Sequence, residues 1–231
     1  MPAGALGPAG PLVLVLATTN PHKASEIRSI VAADAPGQVE LVGRPAHVAE
    51  VEETGATFEE NARLKAHALA RATGVAALAD DSGIEVDALG GAPGVRSARY
   101  AGDSASDAEN LAKLLAALDE VGARQPERRR AHYRAVVVVA FPDGGEILGR
   151  GAVGGTVVTE PRGDAGFGYD PVFAPDGGDG RTFAEIDPEE KHRRSHRGQA
   201  VRAVLAELAA ASAASSADER TRTSTPEGTG T

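Results

Sequence analysis

The sequence predicts an α/β fold, a mixed β-sheet with flanking helices. Three observations carry that reading. The apolar run Leu12 to Ala17 leads directly into a capped helix start. The β-branched run Tyr133 to Phe141 turns through Pro142-Asp143-Gly144-Gly145 into a second strand. Between them lie two segments with helical spacing. Strand and helix alternating, then a hairpin, give a sheet with parallel and antiparallel pairs.

Each element has its own signal. Residues 1–11 are Pro, Gly and Ala around few others, without periodicity, and read as a loose extension. Leu12 to Ala17 is a continuous apolar run, as a strand buried on both faces is. Asn20 suits an N-cap and Pro21 the first helical position; Ile27, Ile30 and Val31 then form the apolar stripe. Thr57 and Glu60 have capping-box spacing, which predicts a helix to about Ala72 carrying Asn61, Lys65 and Leu69. Ala76 to Ala79 reads as a short strand ending at Asp80-Asp81-Ser82-Gly83. Ile84 to Leu89 follows, then the turn-rich stretch from Gly90 to Gly94. Ser106 and Glu109 form another capping box before the stripe Leu111, Leu114, Leu115 and Leu118. The hairpin partner begins near Glu146, and Val153 to Thr159 extends its pattern. A helix over about Gly198 to Ala210 closes the domain, 12–211. Residues 212–231 are Ser, Thr, Ala, Gly and charge, which cannot offset their ordering entropy, so a disordered tail is expected.

Composition excludes several classes. The chain has 231 residues, enough to bury a core without staples. Its formal charge is −9, so no nucleic-acid partner is expected. With no cysteine there is no disulfide, thiolate metal site or cysteine nucleophile. No run approaches the ~20 apolar residues that a bilayer requires, so no membrane association is expected. Nothing basic precedes Leu12 to Ala17, which argues against a signal peptide and for a cytoplasmic enzyme.

Four constellations could do chemistry. Thr18-Thr19-Asn20-Pro21-His22-Lys23 sits where a strand meets a helix N-terminus, which favours an anion; Lys23 adds a full charge. It is a phosphate cradle or an ordinary capped helix with a surface lysine, and it is no Walker A loop. Asp80-Asp81-Ser82-Gly83 places acids after an apolar run, with Glu50, Glu52 and Glu53 upstream. One of those with Asp81 could clamp Mg²⁺, which takes one or two carboxylates plus substrate phosphates. The alternative is a solvated acidic face. Gly166-Phe167-Gly168-Tyr169-Asp170-Pro171 concentrates two aromatics in a chain that is only 3% aromatic. They stack a base or plug the core. Lys191-His192-Arg193-Arg194-Ser195-His196-Arg197 neutralises phosphate, contacts a base edge, or is a basic surface loop capped by Ser195.

Taken together, the segments resemble a known family. Those above combine with Glu52-Glu53-Thr54-Gly55, Glu60-Asn61-Ala62, Gly90-Gly91-Ala92-Pro93-Gly94 and Ser97-Ala98-Arg99-Tyr100. Their order and spacing, from about Leu12 to Leu208, are similar to those of the inosine/xanthosine triphosphate pyrophosphatases. The resemblance implies an elongated mixed sheet with two lobes around a central cleft, usually a homodimer. It implies Mg²⁺-dependent hydrolysis of inosine, deoxyinosine and xanthosine triphosphates to monophosphate and pyrophosphate, which cleanses the nucleotide pool. Carried over by position, Thr18, Thr19, Asn20, Pro21, His22 and Lys23 bind phosphate. Asp81 is proton acceptor and metal ligand, Glu52 the second ligand, and Ser82 a substrate contact. Phe167, Gly168, Tyr169 and Asp170 wall the base. Lys191 reaches phosphate or base, and His196 and Arg197 read the base. Thr19, His22, Arg193 and Arg194 depart from the family's usual residues, and none of these departures removes a motif residue. The competing readings are a related Maf-like pyrophosphatase for modified pyrimidines and a catalytically silent nucleotide binder.

Overall fold

The computed structural model describes residues 10–223, with side chains through residue 214. Six strands form one sheet: β1 (Leu12–Leu16), β2 (Val39–Gly43), β3 (Ala77–Val86), β4 (Arg130–Ala140), β5 (Glu146–Val157) and β6 (Phe173–Pro175). Their spatial order is β2-β1-β3-β4-β5-β6. β1 runs parallel to β2 and β3; the pairs from β3 through β6 are antiparallel. The helices are α1 (Pro21–Asp34), α2 (Phe58–Thr73), α3 (Asp107–Glu120), α4 (Pro188–Arg194) and α5 (His196–Thr223). The mixed α/β architecture is as the sequence predicts. No helix among the described residues is long and apolar enough to cross a membrane.

Strand alternation explains the layering. Leu14, Leu16, Leu78, Val137 and Val139 face α1 and α5, where Ile27, Ile30, Val201 and Val204 complete one core. The intervening Val15, Ala17, Ala77, Ala79, Val136 and Val138 face α2, against Phe58, Ala62, Ala66 and Leu69. A third core, around Ile84, Leu114, Leu118, Phe173 and Phe183, lies toward the other end of the long strands. Helix starts follow their caps. Asn20 accepts from the His22 and Lys23 amides, and both Thr57/Glu60 and Ser106/Glu109 close complete capping boxes.

Three sequence readings are corrected. Asp80 to Gly83 do not end a strand; they are the middle of β3. The ladder to β4 runs unbroken from Ala77↔Ala140 to Val86↔Ala131, and the acidic side chains find cations from distant elements. Lys191 to Arg194 are not a loop but belong to α4, capped by Asp187. Ser195 then caps α5 by accepting from the Gly198 amide at 3.0 Å. The closing helix starts at His196 and its backbone runs to Thr223, into the stretch expected as tail. The outer parts of the expected extension and tail, residues 1–9 and 224–231, lie outside the described residues.

Candidate active site

Adjacent acids on β3 face opposite sides of the sheet, and each meets its own cations. Asp80 Oδ2 lies 3.4 Å from Lys23 Nζ on α1 and 3.3 Å from Arg197 Nε on α5. Asp81 points to the α2 side. Its Oδ2 accepts from Asn61 Nδ2 at 3.1 Å, and its Oδ1 lies 3.6 Å from Lys65 Nζ. Asn61 is itself oriented, because its Oδ1 accepts from the Gly55 amide at 2.8 Å.

The charges differ accordingly. Burial works against ionisation of Asp80, but Lys23, Arg197 and Lys65 outweigh it and hold the carboxyl well below its ordinary range. For Asp81 burial wins over Lys65 and Lys23, aided by repulsion from Glu53, and the carboxyl titrates above its ordinary range. Lys65 stays firmly charged: burial pulls it down, yet Asp81, Asp80 and Glu53 push it up further.

A cleft opens at Ser82, the next residue of β3, and at Lys23; neither Asp80 nor Asp81 lines it. It is lined by Asn20, Lys23 and Ser82 at one end and by Phe167, Gly168, Tyr169 and Asp170 at the other. Lys191, His196 and Arg197 complete the wall. A buried ion network supports it. Lys191 Nζ donates to Glu26 at 2.5 Å and to Asp170 at 2.6 Å. Arg197 bonds Glu26, and its second terminal nitrogen donates to Ser82 Oγ at 2.7 Å. The Phe167 ring lies beneath Lys191 Nζ at 4.9 Å and Arg197 Cζ at 5.5 Å. The Phe167 and Gly168 amides donate to Asp170 and Asp107, and Tyr169 Oη donates to the Ser97 carbonyl, which fixes the aromatic turn.

The remaining expected residues flank the cleft. Thr18 Oγ1 accepts from the Asn20 amide, Thr19 donates to Glu50, and Pro21 opens α1. His22 stacks on Phe167 with 5.3 Å between centroids. Arg193 and Arg194 pair with Glu189 and Glu190 one turn earlier. Glu52 is exposed, and none of the described contacts links it to Asp81. Its neighbour Glu53 turns inward instead, 2.7 Å from Lys65 Nζ and 3.3 Å from Arg99.

That arrangement suits a divalent cation. The Lys65 ammonium already sits between carboxylates from two segments, Glu53 and Asp81. No trio of His, Asp or Glu able to hold a metal occurs among the described residues. Any cation held there would take one or two carboxylates from the protein and its other ligands from elsewhere.

Several supporting residues are given no role by the sequence reading. Lys65 and Asn61 had a readable signal, since the capping box sets their i, i+4 spacing on one helix face. Glu26 had none; it sits among polar residues of α1 and is buried only through Lys191 and Arg197.

A mixed sheet with a lysine-lined acidic site beside an aromatic cleft defines a nucleotide-handling α/β protein. Comparison with known proteins makes this specific: the model of the Ham1 family matches residues 14–207, and the chain belongs to that family. The dITP/XTP pyrophosphatase of Streptomyces coelicolor is 50% identical over 191 residues, 82% of this chain and 93% of the relative. That of Methylococcus capsulatus is 49% identical, over 81% and 92%. Among solved structures, a HAM1 protein from Coxiella burnetii superposes with a TM-score of 0.76 at 40% identity, covering 86% of this chain and 98% of that one.

Proposed function

We propose that the protein hydrolyses non-canonical purine nucleoside triphosphates (ITP, dITP and XTP) to the monophosphate and pyrophosphate, removing deaminated purines from the nucleotide pool. One observation carries the reading: a buried carboxylate, Asp81, faces a charged lysine beside a cleft whose far wall is aromatic. The relatives' activity and the motif resemblance support it.

The residues divide the work. The turn Thr18 to Lys23 and Lys65 hold the triphosphate, while Ser82 contacts it. Asp81 orients a water and accepts its proton. The water oxygen bonds to the α-phosphorus in line, the bond to the bridging oxygen breaks, and pyrophosphate leaves against the lysines. Burial raises the Asp81 carboxyl above its ordinary range, which makes it a better proton acceptor than a solvated aspartate. Asp81 would hold Mg²⁺ together with Glu52, the ligand the resemblance implies, or with its inward-facing neighbour Glu53; the ion when bound would neutralise phosphate charge. Phe167 and Tyr169 wall the base, with Gly168, Asp170 and Lys191 behind it. His196 and Arg197 read its edge by donating to a 6-oxo group; adenine's 6-amino group meets them donor to donor. The molecule works as a homodimer, as the resemblance implies.

Steady-state hydrolysis across ITP, dITP, XTP, GTP and ATP, with and without Mg²⁺, tests this. The expected result is Mg²⁺-dependent pyrophosphate release from ITP, dITP and XTP and little from ATP. Equal turnover of ATP and ITP, or release of orthophosphate, overturns it. Glu52→Gln should raise the Mg²⁺ concentration needed for half-maximal rate. If only Glu53→Gln does so, Glu53 is the second ligand.

A further inference from the structure

The motifs named above leave out some of the side chains that line the cleft. Tyr133, on β4, lines the cleft and is buried. Its ring is parallel to the His196 imidazole, with 3° between planes and 4.4 Å between centroids. Phe173 packs against Tyr133 edge-on at 4.7 Å, and Phe183 lies at 6.0 Å. The hydroxyl points to Asp170 Oδ1 at 3.5 Å. The backbone at Tyr133 is paired on both sides, to Ile84 on β3 and Val153 on β5, so the ring has a fixed base.

His196 needs such a hold. It is the first residue of α5, where its backbone sets the ring's position but not its plane. The last torsion of a histidine is broad, so only packing can select one plane. The ring is buried, and burial together with the Arg197 and Lys191 charges keeps it neutral. Its Nδ1 is buried without a hydrogen-bond partner among the described residues. Both nitrogens lie in the ring plane, so whatever fixes the plane fixes the directions in which His196 can hydrogen-bond.

We propose that Tyr133 is a positioning residue for base discrimination: its ring face sets the plane of His196 and so the direction of the hydrogen bond His196 offers to the purine edge. This rests on the reading of His196 as a base-reading residue. The aromatic stack is the carrier, and the hydroxyl is secondary at its longer distance.

The test is kcat and KM for ITP and ATP in the wild type, Tyr133→Phe and Tyr133→Leu. Phenylalanine keeps the stack and should hold the ITP-over-ATP preference in kcat/KM within about twofold of wild type. Leucine should cut that preference by about tenfold or more, mainly through a higher KM for ITP. Mere loss of folded protein lowers both substrates alike and leaves the ratio unmoved. If Tyr133→Leu does not fold, Tyr133→Met carries the same expectation. In the wild type itself, the ring protons of His196 should be displaced upfield by the tyrosine ring current; ordinary positions overturn the stack. A wild type that does not prefer ITP sinks the base-reading role of His196. A wild type that prefers ITP, with a leucine variant that keeps the preference, sinks the role of Tyr133 alone.

Discussion

Burial acts on Asp80 and Asp81 alike, yet their neighbours send them in opposite directions, and substitutions should reveal it. Asp81 titrates above its ordinary value of 3.8. Its ionised form is therefore costlier folded than unfolded, and that cost applies at every pH above its folded pKa. Asp81→Asn should raise the thermal midpoint at pH 7 while reducing turnover by about 10²- to 10⁴-fold, a site that trades stability for chemistry. Calorimetry and initial rates check both halves; a lower midpoint contradicts the assignment. Asp80 behaves in reverse. Lys23 and Arg197 depend on it in a buried setting, so Asp80→Asn should destabilise by about 3–5 kcal/mol. On the proposed mechanism Asp81 accepts a proton and so must be ionised; the acid limb of the kcat profile should then fall above pH 3.8, and Asp81→Glu should displace that limb.

At the scale of elements, helix starts were legible because their caps are local. Asn20, Thr57 with Glu60, and Ser106 with Glu109 each declare a helix within four residues. The course of β3 was not legible. Acidic residues are poor strand formers, and what keeps Asp80 and Asp81 in a strand comes from Lys23, Lys65 and Arg197, far away in sequence. β5 was legible as the hairpin partner beginning near Glu146, despite its glycines, which weaken a strand signal. They are there for α5. A Cβ on Gly151 would lie 2.0 Å from the His196 carbonyl oxygen, and one on Gly149 2.2 Å from that of Ala200. The helix backbone thus rests on the sheet, and this contact sets the height of its first turn. Gly151→Ala should lift that turn, which carries His196 and Arg197, and raise KM for the nucleotide. Gly149→Ala, one turn further along, should lower the thermal midpoint comparably with a smaller effect on KM. Equal KM changes in the two variants would detach β5 from the base wall.

Across the whole molecule, elements far apart in sequence are tied together behind the cleft by buried ion pairs. Glu26 from α1, Asp80 from β3, Lys191 from α4 and Arg197 from α5 form one buried cluster. This makes stability pH-dependent with a definite sign. Burial raises Glu26, but Arg197 and Lys191 outweigh it, so it titrates below its ordinary 4.5; Asp80 and Glu53 are lowered likewise. Groups lowered in the folded state contribute stability above their unfolded values and lose it as pH falls through their folded ones. Asp81 and Asp170, raised mainly by burial, do the opposite, so their protonation relieves a cost. Acidification should begin to lower the urea midpoint near pH 6.5, where unfolded His196 and His192 take up protons that their folded forms resist, and should lower it more steeply below about pH 4.5 as the cluster takes up protons. In Glu26→Gln the midpoint should already be low at pH 7, because Lys191 and Arg197 lose a shared counter-charge, and its fall below pH 4.5 should be shallower. The cluster is buried, so 1 M NaCl should not abolish the difference between variant and wild type; if salt erases it, the coupling is through surface charge instead.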